Sequence, residues 1–273
     1  MIEEWKWVSE LLIVVYGLSV IGYFIDFIQS NQKAYTYAFW LLRIAWFIQS
    51  IYFGQHLLVE QSFPVATLVD SLFFFSWILI TLSLIIHKFI AMHFIVFFIN
   101  LFGFFVLLLY VAATLKQGTS ERSVEFIHEM LIAHISLAFV SYGFFTVSFF
   151  FSFLYLLQYH LLKKKKGLKW LWRIGNLHQL DQYSFQAITL GVPLLLISII
   201  LGLFWASISA VSVYWYDIKI LGSIFVLVIY IIYLTIRALR RHRGKTLATY
   251  NTAAFLLLMI NFLLSNTYSE FHF

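Results

Sequence analysis

Residues 177–237 read LHQLDQYSFQAITLGVPLLLISIILGLFWASISAVSVYWYDIKILGSIFVLVIYIIYLTIR, and two long apolar runs in that stretch decide the fold. Each run is long enough to cross a bilayer, whose hydrocarbon core takes about 20 apolar residues in helical form. Between the runs lies a short segment with Trp205, Tyr214, Trp215, Tyr216, Asp217 and Lys219. Trp and Tyr concentrate where membrane meets water, so this aromatic shelf marks one membrane face. An interface alone does not account for Asp217 and Lys219 directly after the Tyr-Trp-Tyr run.

The whole chain has the same character. Of its 273 residues 62% are hydrophobic and only 11% charged, with two prolines. A soluble domain is nearer half apolar and a quarter charged, so this surface requires lipid as solvent. Helices satisfy their own backbone in that solvent. Eight hydrophobic segments, 9–29, 37–58, 65–86, 91–113, 131–157, 185–206, 217–236 and 248–266, predict an all-α polytopic membrane protein with eight transmembrane helices. No linker or repeat breaks it, so 1–273 is expected to form a single transmembrane domain.

Basic residues sort by connection. Lys33, Lys88, Lys163 to Lys166, Lys169, Arg173, Arg237, Arg240, Arg241, Arg243 and Lys245 fall in alternate connections, against Lys6, Lys116, Arg122 and Lys219 in the others. The heavy set marks the cytoplasmic side, which puts both termini outside. The net charge of +6 is therefore a topology signal, with no nucleic acid expected. The basic connections 161–174 and 237–245 read either as anchors for anionic lipid or as docking sites for a cytoplasmic partner. The N-terminus, MIEEWKWVSELL, lacks a basic region and a cleavage site and reads as an uncleaved first span. No cysteine is present, so disulfides, thiolate metal sites and a thiol nucleophile are excluded. Phosphate loops and nucleophile elbows are absent too, and no catalytic residue is expected.

Ionisable groups inside spans are candidates for function. Arg43 is about two turns into the second span from the cytoplasmic side, where it either snorkels to the interface or is functional. Asp70 is expected one to two turns into the third span, either settled by the helix dipole or functional. His87, His93, His160, His178 and His242 read as ordinary solvated histidines at cytoplasmic ends. Glu121, Glu125 and Glu129 recur every four residues and suggest a short surface helix. His134, within LIAHISLAFVSYGFF, sits about one turn inside the outer end of the fifth span, and His272 lies on the same side. Each is either packing or a ligand. Haem iron takes one imidazole on each axial face, and aromatic walls suit a porphyrin.

These residues resemble the cytochrome c assembly superfamily of haem-handling membrane proteins (CcsA, CcmC and CcmF among them), with a closer likeness to the HemX proteins of Gram-positive bacteria. The likeness runs from about 64 to 273. Pro64, Leu68, Asp70, Ser71, Leu72 and Trp77 resemble the family's Pro-x-x-x-Leu-x-acid-Ser-Leu pattern. His134 with Ser141 and Tyr142 resembles the segment carrying an outward-facing haem-ligand histidine. Leu180, Asp181, Ser184, Gly191, Pro193, Gly202, Trp205 and Ala206 match the approach to the tryptophan-rich haem motif. There the synthase members have Trp-x-Trp-Asp-Pro-Lys-Glu, and this chain has Tyr214-Trp215-Tyr216-Asp217-Ile218-Lys219-Ile220. The family's intramembrane haem-ligand histidine falls at Thr235 or Ile236.

The resemblance implies a bacterial plasma-membrane protein that binds b-type haem non-covalently at the outer face without catalysing a reaction. His134 and His272 would be the iron ligands, Trp205, Trp215 and Tyr216 the walls, and Lys219, after Asp217, the partner of a propionate. It also implies control of haem synthesis by lowering glutamyl-tRNA reductase. Two alternatives stand beside this. One is a haem exporter or cytochrome c synthase subunit working with other assembly components. The other is a haem-free regulator acting through the basic loops.

Overall fold

The computed structural model describes residues 6–59, 68–90, 92–117, 129–165, 175–208, 218–240 and 244–268. Among them are eight α-helices and no strand: α1 (Lys6–Gln29), α2 (Gln32–Val59), α3 (Leu68–Phe89), α4 (His93–Gln117), α5 (Glu129–Lys163), α6 (Leu177–Ile208), α7 (Ile218–Arg240) and α8 (Lys245–Tyr268). Polar caps set several boundaries. The Asn31 side-chain oxygen accepts the backbone N–H of Lys33 at 3.0 Å and of Ala34 at 3.2 Å, opening α2. Asn176 opens α6 likewise, through the N–H of His178 at 3.0 Å. Gly175 and Gly244 precede α6 and α8 with φ of 103° and 90°, a conformation that costs glycine little.

Seven of the eight helices are long and apolar enough to cross a membrane, which makes this a multi-pass membrane protein. The exception is α2, where Lys33, Arg43, Gln49 and Gln55 dilute the apolar residues. The expected eight spans therefore stand at seven by length and composition. α2 still turns an apolar ridge outward, with Tyr37, Trp40, Ile44, Phe47 and Ile51 all exposed. Most helices outrun the hydropathy segments, two of them by the most: α5 continues to Lys163, and α6 starts at Leu177. Their extra turns carry Gln158, His160 and Asp181, polar residues that a hydropathy window trims. Asp70 lies in the first described turn of α3.

The chain divides into two compact units, Met1–His128 and Glu129–Phe273. In the first, α1 packs on α2 and α4, and α3 on α4 and α2. Indole N–H groups tie α2 to α3, with Trp46 donating to Thr81 at 2.9 Å and Trp77 to Ser50 at 3.0 Å. On α4, Asn100 donates to Ser83 on α3 at 2.5 Å and accepts the Tyr16 hydroxyl of α1 at 3.2 Å.

The second unit is built on one antiparallel seam between α5 and α6. On α5 the contact positions step by seven, His134, Ser141, Ser148; facing them on α6 are Ser198, Gly191 and Ser184, stepping back by seven. At each level a hydroxyl donates to the facing main chain: Ser198 to the His134 carbonyl at 2.8 Å, Ser141 to that of Gly191 at 2.8 Å, and Ser148 to that of Ser184 at 2.9 Å. Small residues let two backbones approach where lipid supplies no hydrophobic drive between helices. Asn251 of α8 adds a third helix, donating to Ser148 and Ser152 at 2.8 Å each.

Candidate functional site

His134 sits at one end of this seam. A helical side chain leans toward the start of its own helix, so the imidazole covers the turn before His134. Across the seam that turn faces Gly202. A Cβ there would lie 2.6 Å from Cε1 of the ring, 2.7 Å from Nδ1 and 3.1 Å from Nε2, so only glycine lets the ring lie against α6.

The ring's protonation follows from its partner. Nδ1 lies 2.5 Å from the main-chain carbonyl oxygen of Ser198. A carbonyl only accepts, so Nδ1 carries the proton and donates it. In the neutral imidazole the lone pair then sits on Nε2, the nitrogen offered to an electrophile or metal. The half-buried ring is thus held by the Ser198 main chain at 2.5 Å, with the Ser198 hydroxyl also 3.2 Å from Nδ1.

Two other expected site residues come to the same end of the unit. Trp205 lies one turn beyond Gly202 and one heptad beyond Ser198 on α6, half-buried. Lys219, in the first turn of α7, is close enough for its charge to act on the His134 ring. Trp215, Tyr216, Asp217 and His272 lie outside the described residues, so the shelf between α6 and α7 is known here only by its two flanks. Below the imidazole, Phe139 and Tyr142 of α5 meet Phe262 of α8 edge-on, with centroids 6.1 and 6.4 Å apart.

Sequence reasoning passed over several residues that shape this end. Ser198 was unremarked, though its seven-residue step from Gly191 and Ser184 was available as a signal. Asn261 also escaped notice; a Cβ on Gly222 would overlap its Oδ1 at 1.7 Å, so the Asn261 side chain of α8 packs directly on the α7 backbone. Thr235, one of the two expected counterparts of the family's histidine, is exposed, and its hydroxyl donates to the Ile231 carbonyl of its own helix at 2.8 Å, while Ile236, the other, is half-buried.

The opposite end of the unit is held by charge. Arg237 of α7 donates to both carboxylate oxygens of Asp181 on α6, at 3.0 and 2.9 Å, with side chains 10% and 7% exposed. Its guanidinium also lies 4.2 Å from the Phe185 ring centroid. The pair is bidentate and nearly dry, and it locks α6 to α7.

In the first unit, the structure corrects the reading of His87 and His93 as solvated. Tyr35 bonds through its hydroxyl to Nδ1 of His87 and stacks on the His93 ring with centroids 3.8 Å apart. His87 also lies 3.8 Å from the Phe39 ring, and His93 lies 3.5 Å from the Asp26 carboxylate. His160 and His178 are exposed, as expected.

Residues 65–272 match the cytochrome c assembly protein family. The chain is 46% identical over 264 residues to Protein HemX of Bacillus subtilis strain 168, covering 97% of this chain and 96% of that one. It is 41% identical over 271 residues to Protein HemX of Brevibacillus brevis, covering 98% of each. The match takes in the whole α5–α6 seam and the segment around Trp205 and Lys219, so the chain belongs to the cytochrome c assembly family and, within it, to the HemX proteins.

Proposed function

We propose that this membrane protein binds b-type haem at the His134 end of its second unit, with Nε2 of His134 as an iron ligand. The carrying observation is the donation from Nδ1 to the Ser198 carbonyl, which leaves Nε2 as the basic nitrogen of a preset ring. Main-chain orientation of a ligand imidazole is the arrangement that metal sites use to fix ring and tautomer together. Haem supplies an iron that accepts axial imidazole and two propionates that need cations. Trp205 walls the site and Lys219 meets a propionate, while Trp215, Tyr216 and Asp217 complete the shelf and His272 offers a second imidazole. The protein performs no reaction of its own in this reading.

The topology follows from the basic residues. Lys163, Lys164, Lys165, Arg237 and Lys245 gather at the end of the second unit away from His134. With that end in the cytoplasm of a bacterial cell, His134 and both termini face outward, and α2 completes eight crossings. Haem occupancy outside is then reported inward to lower glutamyl-tRNA reductase and so haem synthesis. The Asp181–Arg237 pair ties α6 to α7 at that end.

Absorption of the protein purified in detergent tests the assignment. Addition of haem should give a Soret band, which His134→Ala abolishes while helical circular dichroism is unchanged. A band of equal intensity in His134→Ala sinks the assignment.

A second reading has its own support. Gln158 of α5 donates to the Gly175 carbonyl at 2.6 Å, Gly244 stands against the Tyr155 hydroxyl, and the Lys245 ammonium lies 5.7 Å from the Tyr159 centroid. The borders of both basic connections are thus held on the last turns of α5, as one docking surface for a soluble partner would require. Charge-neutralising substitutions there should abolish regulation and leave the Soret band intact. Regulation that survives them removes this reading. A synthase or exporter role is disfavoured by Thr235 and Ile236, neither of which offers an imidazole at the family's intramembrane position.

A further inference from the structure

The first unit holds a groove between α2 and α3 that plays no part in the site around His134. Phe39, Arg43, Leu84, His87 and Lys88 line it, around a volume of about 430 Å³. Arg43 starts deep, about 16 Å along α2 from Gln32 at 1.5 Å per residue. Its side chain turns back toward the helix start, since Cζ lies 4.1 Å from the Phe39 centroid and 4.8 Å from that of Trp40. The guanidinium therefore reaches the level of His87, whose ring lies against the same Phe39. Lys88 follows on the last turn of α3, with its ammonium 5.5 Å from the Phe89 ring.

No carboxylate among the described residues pairs with Arg43 or Lys88. The neighbouring acid, Asp26, is turned to His93. Two cations and an imidazole on an aromatic wall, with no opposing acid lining the groove, select an anion. A guanidinium fork matches phosphate oxygens two at a time, and an ammonium adds a point charge. The rest of the surface is apolar. Leu84 lines the groove, and Trp40 and Ile44 beside Arg43 are exposed. An inorganic anion would leave that surface unused.

We propose that this groove binds one anionic phospholipid, its phosphate held by Arg43 and Lys88 and an acyl chain laid along Leu84, Trp40 and Ile44. Basic residues at the level of the headgroups are where such a lipid is met. The site also gives α2, the described helix that falls short of a membrane span by composition, a reason to carry an arginine among exposed aromatic side chains.

Native mass spectrometry of the full chain, released from a zwitterionic detergent, tests this with phosphatidylglycerol and phosphatidylcholine added at equal concentrations. Wild type should retain phosphatidylglycerol in preference. Arg43→Gln and Lys88→Gln should each weaken that retention about fivefold, and the double substitution should erase the preference. Arg43→Lys keeps the charge without the fork and should fall between. Both side chains are exposed, so helical circular dichroism should match wild type. The two-lipid comparison on wild type stands without any variant. Equal retention of the two lipids overturns the proposal, as does a preference that survives the double substitution. In a separate arm with inorganic phosphate, displacement of the lipid at millimolar concentration would reassign the groove to free phosphate.

Discussion

His134 and His87 are both histidines near a helix end, and their partners make them different chemical objects. His134 gives its Nδ1 proton to a main-chain carbonyl, which can do nothing but accept. Its tautomer, ring plane and lone pair are thereby fixed by backbone. His87 faces the Tyr35 hydroxyl, a group that donates or accepts, and it lies in a stack of aromatic rings. Its tautomer follows the phenol. A preset imidazole suits coordination of a metal, whereas an adaptable one suits a polar wall beside Arg43 and Lys88. Histidine content says little here; the acceptor decides.

The acids of the two units repeat the contrast and set the largest expected effect. Asp181 makes two hydrogen bonds to an arginine that is always charged, and both side chains are nearly dry. Asp181→Ala strands the guanidinium and should cost roughly 3–5 kcal/mol of stability. Thermal unfolding in detergent measures it. Asp181→Leu with Arg237→Met removes both charges together and should recover most of the loss. Asp26 faces a histidine that is 34% exposed, at 3.5 Å, so Asp26→Ala should cost less. Equal losses at the two positions would break the comparison.

Glycines sharpen it on a smaller scale. A methyl group at Gly202 collides with the His134 ring, whereas at Gly54 it meets nothing within 4 Å. Gly202→Ala should cost about 1–3 kcal/mol as the ring is forced from its place. It should also weaken haem uptake at least tenfold if Nε2 binds iron, since ring position and ligand geometry are lost together. Gly54→Ala, in the helix interior, should be neutral or stabilising by up to about 1 kcal/mol. A Soret titration and a melting curve on each variant check both halves. Normal haem uptake by Gly202→Ala would detach the ligand role from the packing described here.

How far the sequence carried the fold depends on which signal each element used. The spans were legible because hydropathy needs no partner. Their ends were less so: Asp181 and Gln158 looked like loop residues until Arg237 and Gly175 appeared beside them, 56 and 17 positions away. The α5–α6 seam hid for another reason. When lipid faces one side and core the other, apolar residues lie on both, and hydrophobic periodicity carries no information. The signal passed instead to small and polar residues, and His134, Ser141 and Ser148 at seven-residue steps held it in plain view. His134 was singled out by its neighbourhood, but its tautomer needed the Ser198 carbonyl 64 positions away. His87 was misjudged for the same reason, since Tyr35 lies 52 positions off.

The smallest expected effect separates main-chain from side-chain control of the two rings. Ser198 touches His134 three times: its carbonyl takes the Nδ1 proton, and its hydroxyl donates to the His134 carbonyl and lies 3.2 Å from Nδ1. Ser198→Ala deletes both hydroxyl contacts and leaves the carbonyl. Interhelical hydrogen bonds of this kind in membranes average about 0.6 kcal/mol, so the melting temperature should barely move. The ring should keep its tautomer and, if Nε2 binds iron, a haem spectrum should keep its position, because the acceptor that sets them is backbone. Tyr35→Phe deletes the whole hydrogen bond to His87, so that ring should change tautomer population, which nitrogen-15 chemical shifts of labelled histidine would read. A displaced Soret band in Ser198→Ala would mean that the hydroxyl, not the carbonyl, governs the imidazole. The two histidines would then differ in degree and not in kind.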